Sequence, residues 1–100
     1  MKPTMIIGAS ENPERYSYKA TISLKSHGHK VYPIGIKQGD IEGEKILVDR
    51  PTPSDVNTVT MYLSAKNQKE WYNYILSLHP KRIIFNPGAE NPEFELAPIL

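Results

Sequence analysis

Short apolar runs alternate with longer amphipathic stretches along this chain. Each run is short enough to form a single strand, and each contains β-branched residues, which favour strands. The runs are Met5–Ile7, Lys30–Ile34, Lys45–Val48, Thr58–Leu63 and Arg82–Phe85. We expect Lys45–Val48 at an edge of the sheet, because it follows a glycine-containing loop over residues 35–43 and precedes a proline-containing connection.

Two of the intervening stretches have helical spacing. The first, Arg15–His27, is followed by Gly28, which suits the left-handed position after a helix. Its apolar stripe is predicted to be Tyr16, Ala20 and Leu24, with small residues beside it. The second stretch begins at Ser64 and ends before Pro80. Its apolar residues recur at helical intervals, at Trp71, Tyr74, Ile75 and Leu78.

Strands that alternate with helices predict a mostly parallel sheet with right-handed crossovers and helices on its faces. With 100 residues, 39% of them hydrophobic, the chain can form one small core. We therefore predict a single α/β domain over residues 1–100 with a Rossmann-like three-layer fold.

The turn after the first strand is a candidate phosphate site. The apolar run ends at Gly8, and Asn12 and Pro13 then suit the N-cap and first position of a helix. A strand that passes through a glycine turn into a helix directs unpaired amides and partial positive charge at one spot, which suits a phosphate. This prediction requires that the amides around Ala9 and Ser10 have no partner within the protein. Without a ligand, the same segment is an ordinary strand-to-helix turn.

A near copy of this turn follows the last predicted strand. Residues 8–14 read GASENPE and residues 88–93 read GAENPE. In a parallel sheet both turns lie at the carboxyl ends of their strands, and open α/β sheets bind ligands at that edge. The two turns therefore favour a small-molecule site.

Charge and composition exclude several classes of protein. The net charge is +1 with no long run of one sign, so bulk attraction to nucleic acid or an anionic membrane is not expected. The chain has no cysteine, which excludes disulfides and thiolate metal sites and fits a cytoplasmic location. No apolar stretch approaches the roughly 20 residues that span a bilayer, and the N-terminus leads directly into a strand, without room for a signal peptide.

The sequence indicates no catalytic group. His27 and His29 flank Gly28 at a helix-to-strand turn, away from the expected ligand edge, and the sequence offers no third metal ligand. Ser10 and Ser17 have no neighbouring base that could activate a hydroxyl. We therefore predict that the protein is not an enzyme.

The dinucleotide-binding fingerprint is incomplete. Ser10 and Pro13 stand where its second and third glycines would be, and no acid at the end of the second strand is placed to hold a ribose hydroxyl. The loop that follows instead offers Lys37, a cation suited to a phosphate. Ordinary nicotinamide binding is thus disfavoured, whereas a nucleotide with an extra phosphate stays an open alternative.

Several of these segments together resemble the coenzyme A-binding domain family. The segments are Gly8-Ala9-Ser10-x-Asn12-Pro13-x-Arg15-Tyr16-Ser17, Gly28-His29-x-Val31-x-Pro33, Ile41-x-Gly43 and Pro87-Gly88-Ala89-x-Asn91. Members are small bacterial and archaeal proteins similar to the nucleotide-binding domain of succinyl-CoA synthetase α subunits. The resemblance extends over nearly the whole chain. There are two differences: Gly35-Ile36 stands where the family usually has Asn-Pro, and the family usually continues past the last helix into another strand, whereas this sequence stops at Leu100. The second difference implies a sheet that lacks its last strand, through truncation or with a partner that covers the exposed edge.

The resemblance implies a protein that binds coenzyme A or an acyl-CoA and leaves chemistry to other domains. The backbone of Gly8, Ala9 and Ser10 would hold the pyrophosphate. Arg15 and Lys37 would supply positive charge to phosphates, including the 3′-phosphate that distinguishes coenzyme A.

The adenine would be bordered by Pro33 and Ile34, with Leu63 and Ser64 across the site. The pantetheine arm would pass close to the backbone of the turn at residues 86–88. The complete candidate set is Gly8, Ala9, Ser10, Asn12, Arg15, Pro33, Ile34, Lys37, Leu63, Ser64, Asn86, Pro87 and Gly88.

Two other functions stay open. A nicotinamide-binding redox domain is suggested by the fold class alone, which does not specify a function. A ligand-free interaction module would use the exposed sheet edge to bind a second copy of the chain or another partner.

Overall fold

A computed structural model describes residues 2–91 and confirms the Rossmann-like α/β fold. In chain order the elements are β1 (Thr4–Ile7), α1 (Tyr16–Ser26), β2 (Val31–Ile34), β3 (Gly39–Ile41), β4 (Glu44–Ile46), β5 (Thr58–Met61), α2 (Ala65–Gln68), a 3₁₀ turn (Lys69–Trp71), α3 (Tyr72–Ser77) and β6 (Arg82–Phe85). The helix predicted to start at Asn91–Pro92 falls outside the described residues.

Four strands form a parallel sheet in the order β2-β1-β5-β6. At the outer side of β2, Leu47 forms a single parallel bridge with Ile34. Of the edge strand predicted at Lys45–Val48, only Leu47 pairs with the sheet, through this bridge. β6 is the last strand of the sheet within residues 2–91.

The loop predicted at residues 35–43 contains β3, which pairs with β4 in a separate antiparallel hairpin. Its two-residue turn, Glu42-Gly43, has positive φ angles of 46° and 94°, the backbone conformation that matches the twist of a tight hairpin. The side chain of Asp40 accepts a hydrogen bond from the Gly43 amide at 2.8 Å. Ile41 and Ile46 are buried, so the hairpin is anchored by apolar side chains that a glycine-rich sequence did not suggest.

The sheet has two different faces. On one face, Met5 and Ile7 of β1 belong to a buried cluster with Trp71, Ile75 and Leu78 of the second helical region. Alternation along each strand directs Thr4 and Ile6, together with Thr58 and Thr60, to the opposite face. Right-handed crossovers in opposite directions from the middle of the sheet place α1 on that second face.

α1 approaches the sheet through small residues. Its buried residues are Ser17 and Thr21, whereas Tyr16 is 78% exposed. Of the predicted stripe, only Tyr16 is exposed, while Ala20 and Leu24 are half-buried. The fully buried contact is made by Ser17 and Thr21, the small residues predicted beside that stripe.

Both ends of α1 have a local explanation. The helix begins at Tyr16, one residue after the predicted start at Arg15. Asn12 does not cap it, because the Asn12 side chain accepts the Glu14 amide at 3.0 Å in a separate turn. At the other end the predicted role of Gly28 is confirmed. Its φ is 81°, its amide donates to Lys25, and the next amide donates to Leu24, the hydrogen-bond pattern of a Schellman motif.

The second helical region is interrupted by a 3₁₀ turn where one continuous helix was predicted. Arg50 lies across this interruption. Its guanidinium is 3.7 Å from the centre of the Trp71 ring, and it forms an ion pair with Glu70 at 3.2 Å. These contacts fix the connection before β5 against the helical layer.

We expect Tyr74 to make the fold sensitive to alkali. Burial raises the pKa of Tyr74 from 10.0 to about 12, and its hydroxyl donates to the Pro51 carbonyl. The folded state therefore favours the neutral phenol. This contribution to stability is fully present below pH 10.0, where the ordinary phenol is neutral, and is lost as pH rises towards about 12. In urea unfolding, wild type should lose more stability than Tyr74→Phe over that interval, and parallel losses would contradict this assignment.

Candidate functional site

The candidate site is a cleft at the carboxyl end of the sheet. β2 lies on one side of β1 and β5 on the other, so the strand order reverses at β1. The loops that follow these strands diverge there and leave a crevice. The cleft has a volume of about 640 Å³. Its walls are the first glycine turn, the start of α1, the loop after β2, the end of β5 and Pro87.

Two backbone amides of the first glycine turn are already hydrogen-bonded within the protein. Gly8 has a φ of 93°, and the amides of Gly8 and Ala9 both donate to the Ile34 carbonyl at 2.9 Å. The prediction that these two amides hold a pyrophosphate is therefore wrong. Within residues 2–91 the amides of Ser10 and Glu11 have no such partner. The donors available to an anion lie one to two residues further along the turn.

Ser10 also retains a side-chain donor. Its oxygen accepts the Asn12 amide at 3.1 Å, which leaves the hydroxyl hydrogen for another acceptor. Asn12 itself is exposed and lies outside the cleft. Asn12 therefore stabilises the turn by hydrogen bonds and does not line the cleft.

The N-terminus of α1 adds further donors to the same wall. Arg15 is the N-cap residue, no side chain caps the helix, and its first turn holds no acid. The first amides of an α-helix have no partner within the helix, and the helix dipole adds partial positive charge. An anion between Ser10 and the start of α1 would meet backbone donors from both.

The charged side chains that line the cleft are two cations and two acids, so their formal charges sum to zero. Arg15 and Lys37 line it, as do Glu11 and Glu14. All four are exposed, and within the described part of the chain none forms an ion pair with another. Attraction of an anion into this cleft therefore depends on the amides and on where the two cations lie, rather than on net charge.

The apolar walls differ from those predicted. Pro33 and Ile34 are buried within β2 and do not border the cleft. The loop that follows takes their place: Gly35 is buried and Ile36 is 81% exposed. Leu63 lies across from this loop, as predicted. The ring of Tyr16 projects at the rim, which is consistent with its failure to pack on the sheet.

The second glycine turn has a structural role. The side chain of Asn86 donates to Thr60 and Met61, both at 2.8 Å, and Gly88 is exposed with a φ of 89°. Of the predicted turn 86–88, only Pro87 lines the cleft. Ser64 also lies outside it, at the N-cap of α2. Gly8 and Gly88 thus share a positive φ, but Gly88 does not line the cleft.

A buried polar side chain holds the two loops on this side together. Gln68 is fully buried and donates to the carbonyls of Leu63 and Ala89, each at 2.7 Å. The Gln68 side-chain oxygen accepts a hydrogen bond from the side-chain amide of Asn91 at 3.0 Å. Gln68 thereby fixes the loop after β5 relative to the turn after β6, and so positions Leu63.

The structure brings about half of the predicted residues together. Those in the cleft are Gly8, Ala9, Ser10, Arg15, Lys37, Leu63 and Pro87. Sequence reasoning missed Glu11, Glu14, Tyr16, Ser17, Gly35, Ile36, Gln38, Ile46, Tyr62 and Trp71. Gly35 and Ile36 directly follow the predicted second strand, so their proximity to the strand end was a signal available. Ile46, Tyr62 and Trp71 lie inside predicted strands or a predicted helix and gave no such signal.

Other classes of site find no support in the part of the chain that the structure describes. Residues 2–91 contain no group of three histidine, aspartate or glutamate side chains that could hold a metal ion. No helix within that range is long and apolar enough to cross a membrane.

Fold and cleft together define a Rossmann-like α/β domain with a cleft where the strand order reverses. The chain matches the CoA binding domain family over residues 2–97 and belongs to that family. Membership supports coenzyme A as the general ligand class and confirms the resemblance noted in the sequence.

Solved structures agree on the fold. The crystal structure of an uncharacterized protein is 53% identical, with a TM-score of 0.92, and the match covers 95% of this chain and 78% of that protein. A conserved hypothetical protein from Pyrococcus furiosus is 28% identical, with a TM-score of 0.81 and coverage of 95% and 83%. A hypothetical protein from Pyrococcus horikoshii OT3 is 25% identical, with a TM-score of 0.80 and coverage of 92% and 66%. No curated protein matches this chain.

Proposed function

We propose that this protein binds coenzyme A or an acyl-CoA in the cleft and does not catalyse a reaction. The main support is the donor set at the strand-order reversal: two unpaired amides at Ser10 and Glu11 beside the uncapped start of α1. This arrangement suits a diphosphate. A cytoplasmic location is part of the proposal and rests on the lack of cysteine.

The rest of the ligand follows from the walls of the cleft. With the diphosphate at the start of α1, Arg15 and Lys37 are the cations that line the same space. The adenosine would lie between Ile36 and Leu63, which replace the predicted pair Pro33 and Ile34. The pantetheine arm would leave past Pro87.

The absence of catalysis is supported by the surroundings of the hydroxyls in the cleft. Among residues 2–91 no histidine lines the cleft, and the Ser10 oxygen contacts a backbone amide rather than a base. The carboxylates of Glu11 and Glu14 are exposed.

Calorimetric titration tests the ligand class. The full chain is titrated with coenzyme A, dephospho-coenzyme A, NAD and NADP. We expect heat with both coenzyme A forms and weaker or no heat with the dinucleotides. A preference for NAD or NADP would overturn the proposal in favour of a redox domain. No response to any nucleotide, with a light-scattering mass of twice the monomer, would instead favour an interaction module that uses the edge of β6.

Lys37→Ala tests the phosphate assignment. If Lys37 contacts the 3′-phosphate, the affinity for coenzyme A should fall about threefold, as for an exposed ion pair, while the affinity for dephospho-coenzyme A changes little. Lys45→Ala is the matched control, because Lys45 is exposed in the hairpin and lies outside the cleft. An equal loss for both ligands would refute the 3′-phosphate role.

A further inference from the structure

A second groove continues from the cleft along the helical layer. It has a volume of about 520 Å³ and shares three residues with the cleft, Ile36, Leu63 and Trp71. Its remaining wall consists of polar side chains from residues 66–70. A ligand held between Ile36 and Leu63 therefore reaches both spaces.

This groove has an uncompensated positive charge. Lys66 and Lys69 line it, are exposed, and form no ion pair within the described residues. Glu70 is the acid in its wall, and that carboxylate is already paired with Arg50 at 3.2 Å. The cleft, by contrast, carries two acids beside its two cations. Two lysine charges thus make the groove the more positive end of the combined space.

The backbone keeps these two lysines on one side. Lys66 belongs to α2 and Lys69 begins the 3₁₀ turn, and residues three apart lie on the same face of either helix type. Trp71 lines the groove beside them and is stacked on Arg50 at 3.7 Å. Lys66 and Lys69 therefore line the groove from helical backbone rather than from a loop.

We propose that Lys66 and Lys69 form a phosphomonoester subsite that holds the 3′-phosphate of coenzyme A together with Lys37. This rests on the proposed function, which places the adenosine between Ile36 and Leu63. The ribose 3′-substituent then comes to the positive end of the space. A phosphomonoester carries a charge of about −1.5 to −2 at neutral pH, which suits two or three lysines.

The test compares two double variants with the wild type. Lys66→Ala/Lys69→Ala removes the proposed subsite. Lys45→Ala/Lys81→Ala removes the same charge from exposed positions that line neither space. Each is titrated with coenzyme A and dephospho-coenzyme A. The preference for coenzyme A should fall about fivefold in the first variant and stay unchanged in the control, which corresponds to the effect of two exposed ion pairs. Increasing salt should reduce the wild-type preference.

The outcomes separate this inference from the proposed function. An unchanged preference in Lys66→Ala/Lys69→Ala, or an equal fall in both double variants, would overturn the subsite. Adenosine 3′,5′-bisphosphate and adenosine 5′-monophosphate probe the groove without a pantetheine arm. If no form of coenzyme A binds but the bisphosphate is preferred and the first variant removes that preference, the subsite stands and the proposed function fails.

Discussion

Replacing Gln68 with methionine should lower the free energy of unfolding by about 3 kcal/mol, the cost of leaving several buried polar groups unsatisfied. The two side chains are similar in volume, so the change removes hydrogen bonds and leaves little cavity. Gln68 is fully buried, and the carbonyls of Leu63 and Ala89 would each lose a donor at 2.7 Å. The side-chain amide of Asn91 would lose one hydrogen-bond acceptor, now at 3.0 Å.

Urea unfolding, followed by circular dichroism, measures this loss. Asn67→Ala is the control in the same helix, because the Asn67 side chain bonds to Ser64 on the exposed surface. We expect the control to stay within about 0.5 kcal/mol of the wild type. A Gln68→Met variant as stable as Asn67→Ala would show that the buried network contributes little.

Gly35→Ala should affect both stability and ligand binding. A Cβ at this position would lie 2.7 Å from the Ala9 carbonyl oxygen and 2.9 Å from the Ile46 side chain. The first of these contacts is with backbone, so the glycine turn itself must move. Overpacking of this kind costs about 2 kcal/mol of stability. Because the moved turn also carries the Ser10 amide, coenzyme A affinity should fall about tenfold, or about 1.4 kcal/mol.

Gly88→Ala is the matched control for this experiment. Its φ is 89°, but a Cβ there would meet no atom within 4 Å. The substitution should cost about 1 kcal/mol through backbone strain and leave coenzyme A affinity unchanged. Denaturation and calorimetry on both variants separate the two effects. If Gly35→Ala binds coenzyme A like the wild type, the turn does not hold the diphosphate.

Local signals located the elements and part of the cleft correctly. The apolar run before Gly8 and the glycine after α1 each have a backbone consequence that depends on a few neighbouring residues. Lys37 was identified because it lies in the loop after the second strand, and Arg15 was identified through the family resemblance; both line the cleft. The hairpin was missed because its anchors, Ile41 and Ile46, are isolated apolar residues in a polar, glycine-rich segment.

The two asparagines of the repeated motif show where local reasoning ends. Asn12 is exposed and caps a turn, whereas Asn91 is buried and bonds to Gln68. Their neighbours in sequence are nearly identical. The difference comes from the α2 residue packed against one of them.

By itself, the sequence determined the parallel sheet and most of its strand and helix order, since these follow from periodicity and from residues adjacent in the chain. Only the tertiary structure decided which amides of the first glycine turn are available, because the acceptor that engages Gly8 and Ala9 is the carbonyl of Ile34, on a neighbouring strand. It also decided where positive charge is left uncompensated, because Arg50 engages Glu70 across a separation of 20 residues. Pairings between distant segments depend on how the layers pack, which no local pattern records.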